Sequence, residues 1–312
     1  MSAPSLTVVC LCYNQAQWLR AALDSVVAQT FSPLELIIAD DCSTDNSRDV
    51  IEEFVIEYPG TTVIFNETNL GNCKAFNKAL ALASGKYIID LAADDIMLPL
   101  RAQTQIDEFE KAGPDAALCY SNAHFIDTEG KVTGPYYHEA RPASLIKQGN
   151  VYEALWGPNF ICSPSVMFRT SLLKDAGGYD ETLAYEDFDV WLRLARKYDF
   201  IYADALLTEK RKVPGSLSSK KTALREGKML ASTLQICRKA KALNKNKAED
   251  IALARFAAYH LRLAVITENH EVARGFSDFL REMGMLNFIG KVWQSAADFD
   301  LPLGFLRRFI KG

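Results

Sequence analysis

Short runs of Val, Ile and Leu alternate with amphipathic stretches through roughly the first 120 residues, and this alternation restricts the fold more than any other feature of the sequence. Strands joined by single helices form a mostly parallel sheet that helices cover on both faces. The chain is therefore predicted to be an α/β protein whose ligands bind beyond the carboxyl ends of its strands. The predicted elements are strands at 6–12, 35–39, 62–65 and 87–91, and helices at 18–27, 50–58 and 75–83.

Composition excludes several classes of protein. Of the 312 residues, 49% are apolar, which is enough for a substantial buried core. The net charge of −4 and the pI near 5.7 argue against a nucleic-acid partner, because proteins that bind nucleic acid usually carry basic fields. No uninterrupted apolar run reaches the ~18 residues that cross a bilayer, and no basic segment followed by an apolar signal core opens the chain. We therefore expect a cytoplasmic protein.

The pattern changes twice farther along the chain. Between roughly 120 and 215, turns rich in Gly and Pro interrupt it, and long loops of this kind tend to be functional. After Leu217, amphipathic helices rich in Ala, Leu, Lys, Arg and Glu are predicted at 222–243, 248–266 and 270–283. We place a domain boundary near residue 218, with a helical C-terminal region at 219–312.

Aromatic and acidic residues follow the first two predicted strands. Tyr13 and Asn14 follow the first strand, where an aromatic ring can stack on a flat base, although the same tyrosine could pack on its own helix. Asp40 and Asp41 follow the second strand, and a carboxylate there can accept the ring N–H of a pyrimidine, a role that we assign to Asp41. The next segment, 43–45, is Ser-Thr-Asp, and we expect at least one of these side chains to cap the following helix.

Two adjacent acids, Asp94 and Asp95, follow the fourth predicted strand. Neighbouring carboxylates repel each other, and a divalent cation would offset the repulsion, because Mg²⁺ and Mn²⁺ prefer hard oxygen ligands and keep positions open for substrate phosphates. Such an ion would neutralise charge that develops on a diphosphate leaving group. The alternative is that the pair caps a helix that begins near Pro99.

Together these residues resemble the inverting family 2 glycosyltransferases, whose nucleotide-binding half has the GT-A fold. The resemblance extends over about 100 residues, continues weakly to residue 218 and does not include the C-terminal helices. A nucleotidyltransferase or a dinucleotide-binding enzyme is not expected, because the turn after the first strand has no glycine-rich phosphate loop. The matching segments are 8–14, 22–30, 37–45, 69–71 and 93–95.

The resemblance implies a role for each matching position in the donor site. Tyr13 and Asp41 would hold the base, with Asn14 beside them. Asp94 would lie near the ribose, and Asp95 would be the ligand of Mn²⁺ or Mg²⁺.

The same resemblance divides the catalytic domain and implies a catalytic base. Residues 1–120 would form the nucleotide-sugar half, and 121–218 the acceptor half. Asp187, with Glu186 before it, would take the proton of the acceptor hydroxyl as its oxygen attacks the anomeric carbon opposite the nucleotide, which inverts that centre. The alternative is that Asp187 caps the helix that contains Trp191.

The chain departs from the family pattern at two positions around the metal site. Ala92 stands where many relatives have an acid, and Val213 stands where they often have a histidine that can join the metal. A third protein ligand is therefore in doubt. Arg211 or Lys212 could instead meet the phosphates as a fixed positive charge.

A third departure lies in the predicted helix at 75–83. Phe76 stands where many relatives have an arginine before an asparagine, which is Asn77 here. Lys74 could supply the nearby cation in its place.

The function that these features favour is transfer of a sugar from a nucleoside diphosphate, with UDP expected first, to a carbohydrate, lipid-linked or protein acceptor in polysaccharide or glycoconjugate synthesis. The irregular middle of the chain is expected to line the acceptor side, at Trp156, Asn159, Tyr179 and Asp180. The alternative is a non-catalytic nucleotide-sugar-binding protein on the same fold. The acidic pair at 186–187 favours the enzyme, because a pure binder has no use for an acceptor-side base.

The end of the chain leaves two interpretations open. Residues 303–311 mix aromatic and cationic side chains at helical spacing, so they could lie on an anionic membrane surface at the inner face of the membrane. More often such a tail packs on its own domain, with arginine stems covering apolar surface. The helices after Leu217 could also pair with a second subunit.

Overall fold

The computed structural model describes residues 5–138, 141–215 and 223–309. The domain boundary predicted near residue 218 and the last residues of the 303–311 segment lie outside this part of the chain. The described residues divide into two compact units. The first comprises Met1–Val151, Asn159–Glu181 and Asp189–Val213, and the second comprises Tyr152–Pro158, Thr182–Phe188 and Pro214–Gly312.

A nine-stranded mixed sheet forms the centre of the first unit, in the order β3-β2-β1-β4-β8-β6-β9-β5, with β7 paired to β6. Strands β3, β2, β1 and β4 are parallel to one another, and β8 is antiparallel to β4. The strands are β1 Leu6–Cys12, β2 Leu34–Asp40, β3 Thr62–Phe65, β4 Tyr87–Ala92, β5 Ile96–Met97, β6 Ala116–Ile126, β7 Val132–Pro135, β8 Met167–Arg169 and β9 Asp199–Arg211.

Helices connect the parallel strands as the sequence pattern predicts. All seven residues of β1 are buried, as expected for a central strand that is covered on both faces. The first helix buries Leu19, Leu23 and Val26, which recur at helical spacing, and so covers one face of the sheet. The helices of the first unit are α1 Ala16–Val27, α2 Ser47–Glu57, α3 Asn72–Leu82, α4 Arg101–Ala112 and α5 Thr170–Asp175, and α6 Asp187–Ala195 begins in the second unit.

The second unit is helical and includes two short segments from the middle of the chain. Tyr152 donates a hydrogen bond of 2.7 Å from its hydroxyl to Asn244 Oδ1, which fixes one of these segments to the end of α7. The helices predicted after residue 217 are present, and a fourth follows them. They are α7 Lys228–Leu243, α8 Lys247–Ile266, α9 His270–Glu282 and α10 Phe288–Asp298.

None of the helices in the described residues is long and apolar enough to span a bilayer.

Candidate active site

Tyr13, Asp41 and the Asp94–Asp95 pair leave three neighbouring strands of the first unit at the same edge of its sheet. β1 lies between β2 and β4, and Cys12 is in register with Asp40 while Leu11 is in register with Ala92. Adjacent strands lie about 4.8 Å apart, so residues that follow these three ends are brought into one region. The sheet therefore assembles the acids of the predicted donor site.

The loop after β1 is tied to the loop after β2 through Asn14. The Asn14 side-chain oxygen accepts a hydrogen bond of 2.7 Å from the Thr44 N–H, and the Asn14 N–H donates to Ser43 Oγ at 2.9 Å. Asn14 has a φ of 54°, a left-handed conformation that asparagine tolerates better than most residues. Asn14 therefore positions the loop, and a direct contact with the donor stays a prediction. Tyr13 beside it is 47% exposed, which leaves its ring open for stacking.

Asp41 is a buried carboxylate that fixes the loop before α3. It is 6% exposed, and its Oδ1 accepts hydrogen bonds from Asn66 Nδ2 at 3.0 Å and from the Leu70 N–H at 2.9 Å. Its Oδ2 accepts from the Gly71 N–H at 2.8 Å. Gly71 has a φ of 83°, which glycine adopts without strain, and it precedes the first residue of α3. A carboxylate has about four acceptor positions, and these three bonds fill three of them, so the predicted contact of Asp41 with a base stays a prediction.

One of these partners, Asn66, is a residue of the site that the motif alone did not identify. Asn66 follows β3, and Lys78 on α3 donates a hydrogen bond of 2.5 Å to its side-chain oxygen. The sequence pattern drew attention to the segment 69–71 but did not assign a role to Asn66. The sequence did contain one sign of such a role, because Asn66 directly follows the strand predicted at 62–65.

Asp45 has the capping role predicted for one residue of the segment 43–45. Its Oδ1 accepts from the Ser47 N–H at 3.0 Å, in the first turn of α2, and its Oδ2 accepts from the Ala16 N–H at 3.0 Å, in the first turn of α1. Asp45 therefore accepts a hydrogen bond from a backbone N–H in the first turn of each of two helices.

Asp95 is buried at the end of β4, beside Asp94. It is 4% exposed, and its Oδ1 accepts a hydrogen bond of 2.8 Å from the Arg211 N–H. Burial, and then the negative charge of Asp94, raise the pKa of Asp95 to about 7. Burial likewise raises the pKa of Asp94. The helix α4 begins at Arg101 with Leu100 before it, so the pair does not cap this helix.

Arg211 is held by backbone carbonyl groups around the acidic pair. Its Nε donates to the Asp94 carbonyl oxygen at 3.0 Å, and its Nη1 donates to the Asp127 carbonyl oxygen at 2.8 Å. The side chain is nearly buried, and the guanidinium lies 5.6 Å from the centre of the Trp18 ring. Arg211 therefore joins two loops of the first unit, and its predicted contact with donor phosphates stays a prediction.

Asp187 is the first residue of α6 and belongs to the second unit. Its Oδ1 accepts a hydrogen bond of 2.6 Å from the Phe188 N–H, and Asp187 and Glu186 are both half-buried. Asp189, two residues later, differs from both, because its side chain is 3% exposed and pairs with Arg193 at 2.7 Å. Asp189 is therefore a structural acid, and the approach of Asp187 to an acceptor stays a prediction.

Comparison with known proteins identifies the family. The model of glycosyl transferase family 2 matches residues 7–177, more than half of the chain. The chain belongs to glycosyl transferase family 2. A glycosyltransferase of Methanocaldococcus jannaschii is 30% identical over 214 residues, which are 68% of this chain and 72% of that relative. A glycosyltransferase of Nostoc sp. is 33% identical over 153 residues, and the chain spans 47% of its length.

Solved structures share the fold at low sequence identity. TarS 1-349 of S. aureus, in complex with UDP-GlcNAc, has a TM-score of 0.71 at 17% identity and covers 98% of this chain and 92% of its own. The mannosyltransferase PcManGT of Pyrobaculum calidifontis, in complex with GDP-Man and Mn²⁺, has a TM-score of 0.64 at 16% identity and covers 100% of this chain and 89% of its own. The predicted α/β GT-A fold with a C-terminal helical region is confirmed.

The acidic pair of this family 2 chain fits a metal ion whose remaining coordination positions would be filled by substrate phosphates. Within the described residues, no three His, Cys, Asp or Glu side chains lie together as a ready metal site. Asp94 and Asp95 supply two carboxylate groups, and Mg²⁺ is commonly held by one or two carboxylates together with substrate phosphates. Burial raises the pKa of both acids, and a cation bound beside them would favour their charged forms. Val213, in the place of the family's histidine, adds no ligand.

Tyr179 lies in the core of the first unit, and its predicted place on the acceptor side stays a prediction. It is 4% exposed, its ring stacks on Phe76 at 4.3 Å between centroids, and its hydroxyl donates to Asp90 at 3.0 Å. Asn77 accepts from the Tyr179 N–H at 2.9 Å and donates to its carbonyl oxygen at 2.8 Å. Phe76, in the place of the family's arginine, is therefore an apolar packing partner. Lys74 is exposed on the same helix.

Trp156 is also a packing residue, in the second unit. It is 5% exposed and meets Phe188 and Phe256 edge to face, with centroids 5.4 Å and 5.3 Å apart. Its predicted contact with the acceptor stays a prediction. Asn159 is exposed and Asp180 is half-buried, so their predicted roles stay open to test.

Proposed function

We propose that this family 2 chain transfers a sugar from a UDP-sugar to an acceptor hydroxyl with inversion at the anomeric carbon. The observation that carries the proposal is the joint placement of an exposed aromatic ring, an anchored carboxylate and an acidic pair at the ends of β1, β2 and β4. A ring for stacking and an acceptor for a base N–H fit a pyrimidine, and an acidic pair fits a diphosphate bound through a cation.

The base would lie between Tyr13 and Asp41. Tyr13 offers an accessible π face, and Asp41 is held by three hydrogen bonds, so a base N–H would meet an acceptor whose position is already fixed. Uracil carries such an N–H on its ring, which is why UDP is the favoured donor nucleotide. Asp94 would contact the ribose.

Asp95, with Asp94 beside it, would hold Mn²⁺ or Mg²⁺. The bound ion would supply positive charge at the leaving diphosphate. The Arg211 N–H fixes the Asp95 carboxylate, so its free oxygen is oriented before substrate arrives.

Asp187 would act as the general base on the acceptor side, with Glu186 beside it. As the acceptor oxygen forms its bond to the anomeric carbon, its proton passes to the Asp187 carboxylate and the bond to the nucleoside diphosphate breaks. Attack from the face opposite the nucleotide gives inversion. Asn159 and Asp180 would contact the acceptor, a carbohydrate, lipid-linked or protein hydroxyl in polysaccharide or glycoconjugate synthesis in the cytoplasm.

A panel of nucleotide sugars tests the proposal, because a ligand that binds only the folded chain raises its thermal midpoint. We expect UDP-sugars with Mn²⁺ to raise it more than GDP- or CDP-sugars. When a suitable acceptor is present, a UDP-sugar that binds should transfer its sugar to the acceptor hydroxyl and release free UDP. Equal responses to all nucleotides would overturn the assignment of a uracil site. Binding with no transfer to any acceptor in a broad panel, and no slow hydrolysis of the donor, would favour a non-catalytic binder instead.

A further inference from the structure

The last helix of the second unit turns an apolar face to solvent. The helix α10 packs inward through small residues, since Gly290, Ala296 and Ala297 are its buried positions. Its outward face carries large apolar side chains with exposures between 54% and 80%: Phe288 80%, Ile289 65%, Val292 54% and, at its end, Phe299 77%. We call these four residues the outer face of α10. A helix on the surface of a soluble protein normally buries its large apolar side chains and exposes polar ones.

The neighbouring helix α9 shows the usual arrangement in the same unit. It buries Ala273, Phe276, Phe279 and Leu280, and its exposed positions are charged. The packing of the unit therefore does not require large apolar residues on an outward face. An exposed apolar patch of this size marks a surface that binds something.

The segment after α10 is fixed to the second unit and exposes one more large apolar side chain. The Gly304 N–H donates to Glu268 Oε1 at 3.1 Å, and a Cβ at Gly304 would lie 2.6 Å from that oxygen, so a larger residue would displace the end of the Glu268 side chain. Phe305, the next residue, is nevertheless 61% exposed. The sequence left open whether residues 303–311 pack on their own domain or lie on a membrane. Gly304 packs on the second unit, and the side chain of Phe305 is accessible to a partner.

Charge is distributed unevenly along the chain. Residues 223–312 contain 15 Lys and Arg against 9 Asp and Glu, a net charge of +6, while the preceding 222 residues contain 20 against 30, a net charge of −10. Lys291 is exposed on α10 itself, and Lys241, Lys245 and Lys247 are exposed around the α7–α8 turn. The apolar face therefore belongs to a segment with a net positive charge, although the exposed Asp298 and Asp300 flank Phe299.

We propose that the outer face of α10, with Phe305, lies in the headgroup region of an anionic bilayer. Phenylalanine side chains would enter the boundary between headgroups and acyl chains, and the cations of the same segment would approach lipid phosphates. A second copy of the chain is a poorer fit, because an isologous contact would bring two segments of charge +6 together. The helix lies on the membrane and does not span it. This inference does not depend on the transferase activity.

Co-sedimentation of the full chain with sucrose-loaded vesicles tests the proposal. The vesicles are phosphatidylcholine alone, or phosphatidylcholine with about 30 mol% phosphatidylglycerol. The test variant is the double substitution Phe288→Ser and Phe299→Ser. The control is Ile56→Ser on α2, because Ile56 is 83% exposed and belongs to the first unit. Circular dichroism and the thermal midpoint check that each variant is folded.

The proposal expects binding to the anionic vesicles, a loss of about tenfold or more in the partition coefficient of the double variant, and no change for Ile56→Ser. Lys291→Glu should weaken binding by less, and raising NaCl from about 0.1 M to about 0.5 M should weaken binding of the wild type. Absence of binding to the anionic vesicles, or equal binding of the folded double variant and the wild type, would overturn it. A concentration-dependent dimer, seen by light scattering without lipid and lost in the double variant, would assign the face to a second copy instead.

Discussion

The backbone N–H of Arg211 donates a hydrogen bond of 2.8 Å to the side chain of Asp95. This contact joins the end of β9 to the loop after β4, although the two residues are far apart in the sequence. The Arg211 guanidinium returns to the same loop through the Asp94 carbonyl oxygen at 3.0 Å. The acidic pair is therefore oriented from the backbone and from one arginine, and its chemistry depends on the position of β9.

The first prediction concerns the proposed base. Asp187→Asn should leave donor affinity within about twofold and lower the transfer rate by about 100-fold or more, because an amide cannot take the acceptor proton. Calorimetric titration with UDP and single-turnover kinetics measure the two quantities. The matched variant Asp189→Asn should instead lower the thermal midpoint, because its side chain is buried against Arg193. Wild-type turnover in folded Asp187→Asn would place the base elsewhere.

The second prediction concerns the anchored carboxylate. Asp41→Asn replaces one acceptor oxygen by an N–H₂ group, which must then face a donor such as the Gly71 N–H or Asn66 Nδ2. Loss of a hydrogen bond to a charged acceptor, with a donor left unsatisfied, should lower the free energy of unfolding by about 2 kcal/mol. Urea denaturation measures this change. UDP affinity should fall in the same variant, and unchanged stability together with unchanged UDP affinity would remove Asp41 from the site.

The third prediction concerns pH. Burial and the charge of Asp94 raise the pKa of Asp95 to about 7, above the value of about 4 for an unfolded aspartate. The folded chain therefore binds this proton more tightly than the unfolded chain, so the associated stability is present below pH 4 or so and is lost as pH rises through about 7. Asp95→Asn carries no charge and should be more stable than the wild type at pH 8, by about 2 kcal/mol, with little difference at pH 4.

Urea denaturation at the two pH values, without metal, checks the third prediction. Asp107→Asn on α4 is the control, because Asp107 is exposed and lies outside the site. If the stability of Asp95→Asn relative to the wild type did not change between the two pH values, Asp95 would titrate as an ordinary surface acid.

The sequence predicted the parallel half of the sheet well because β1, β2 and β4 are short apolar runs whose burial follows from local pattern. β5 and β8 have two and three residues, too few for any periodicity, and both pair with strands distant in sequence. These two antiparallel strands therefore could not be predicted from local pattern.

The positions of the donor-side residues were easier to predict than the positions of the acceptor-side residues, for a related reason. Asp41 and Asp95 follow strands, so topology alone brings them to one edge. Tyr179 and Trp156 lie in loop-rich sequence, where aromatic residues suggest a ligand surface, but their burial depends on distant partners, Phe76 for one and Phe256 for the other. No local pattern distinguishes such a packing residue from a binding residue.

The central claim is that the acidic pair after β4 binds a diphosphate through a divalent cation. Calorimetric titration of UDP into the wild type, Asp95→Ala and the control Asp107→Ala, each with and without Mn²⁺, tests it most directly. We expect Mn²⁺ to raise the UDP affinity of the wild type and of the control by about tenfold or more, and to have no effect on folded Asp95→Ala. UDP affinity that is the same with and without Mn²⁺ in the wild type, or an undiminished Mn²⁺ effect in Asp95→Ala, would contradict the claim.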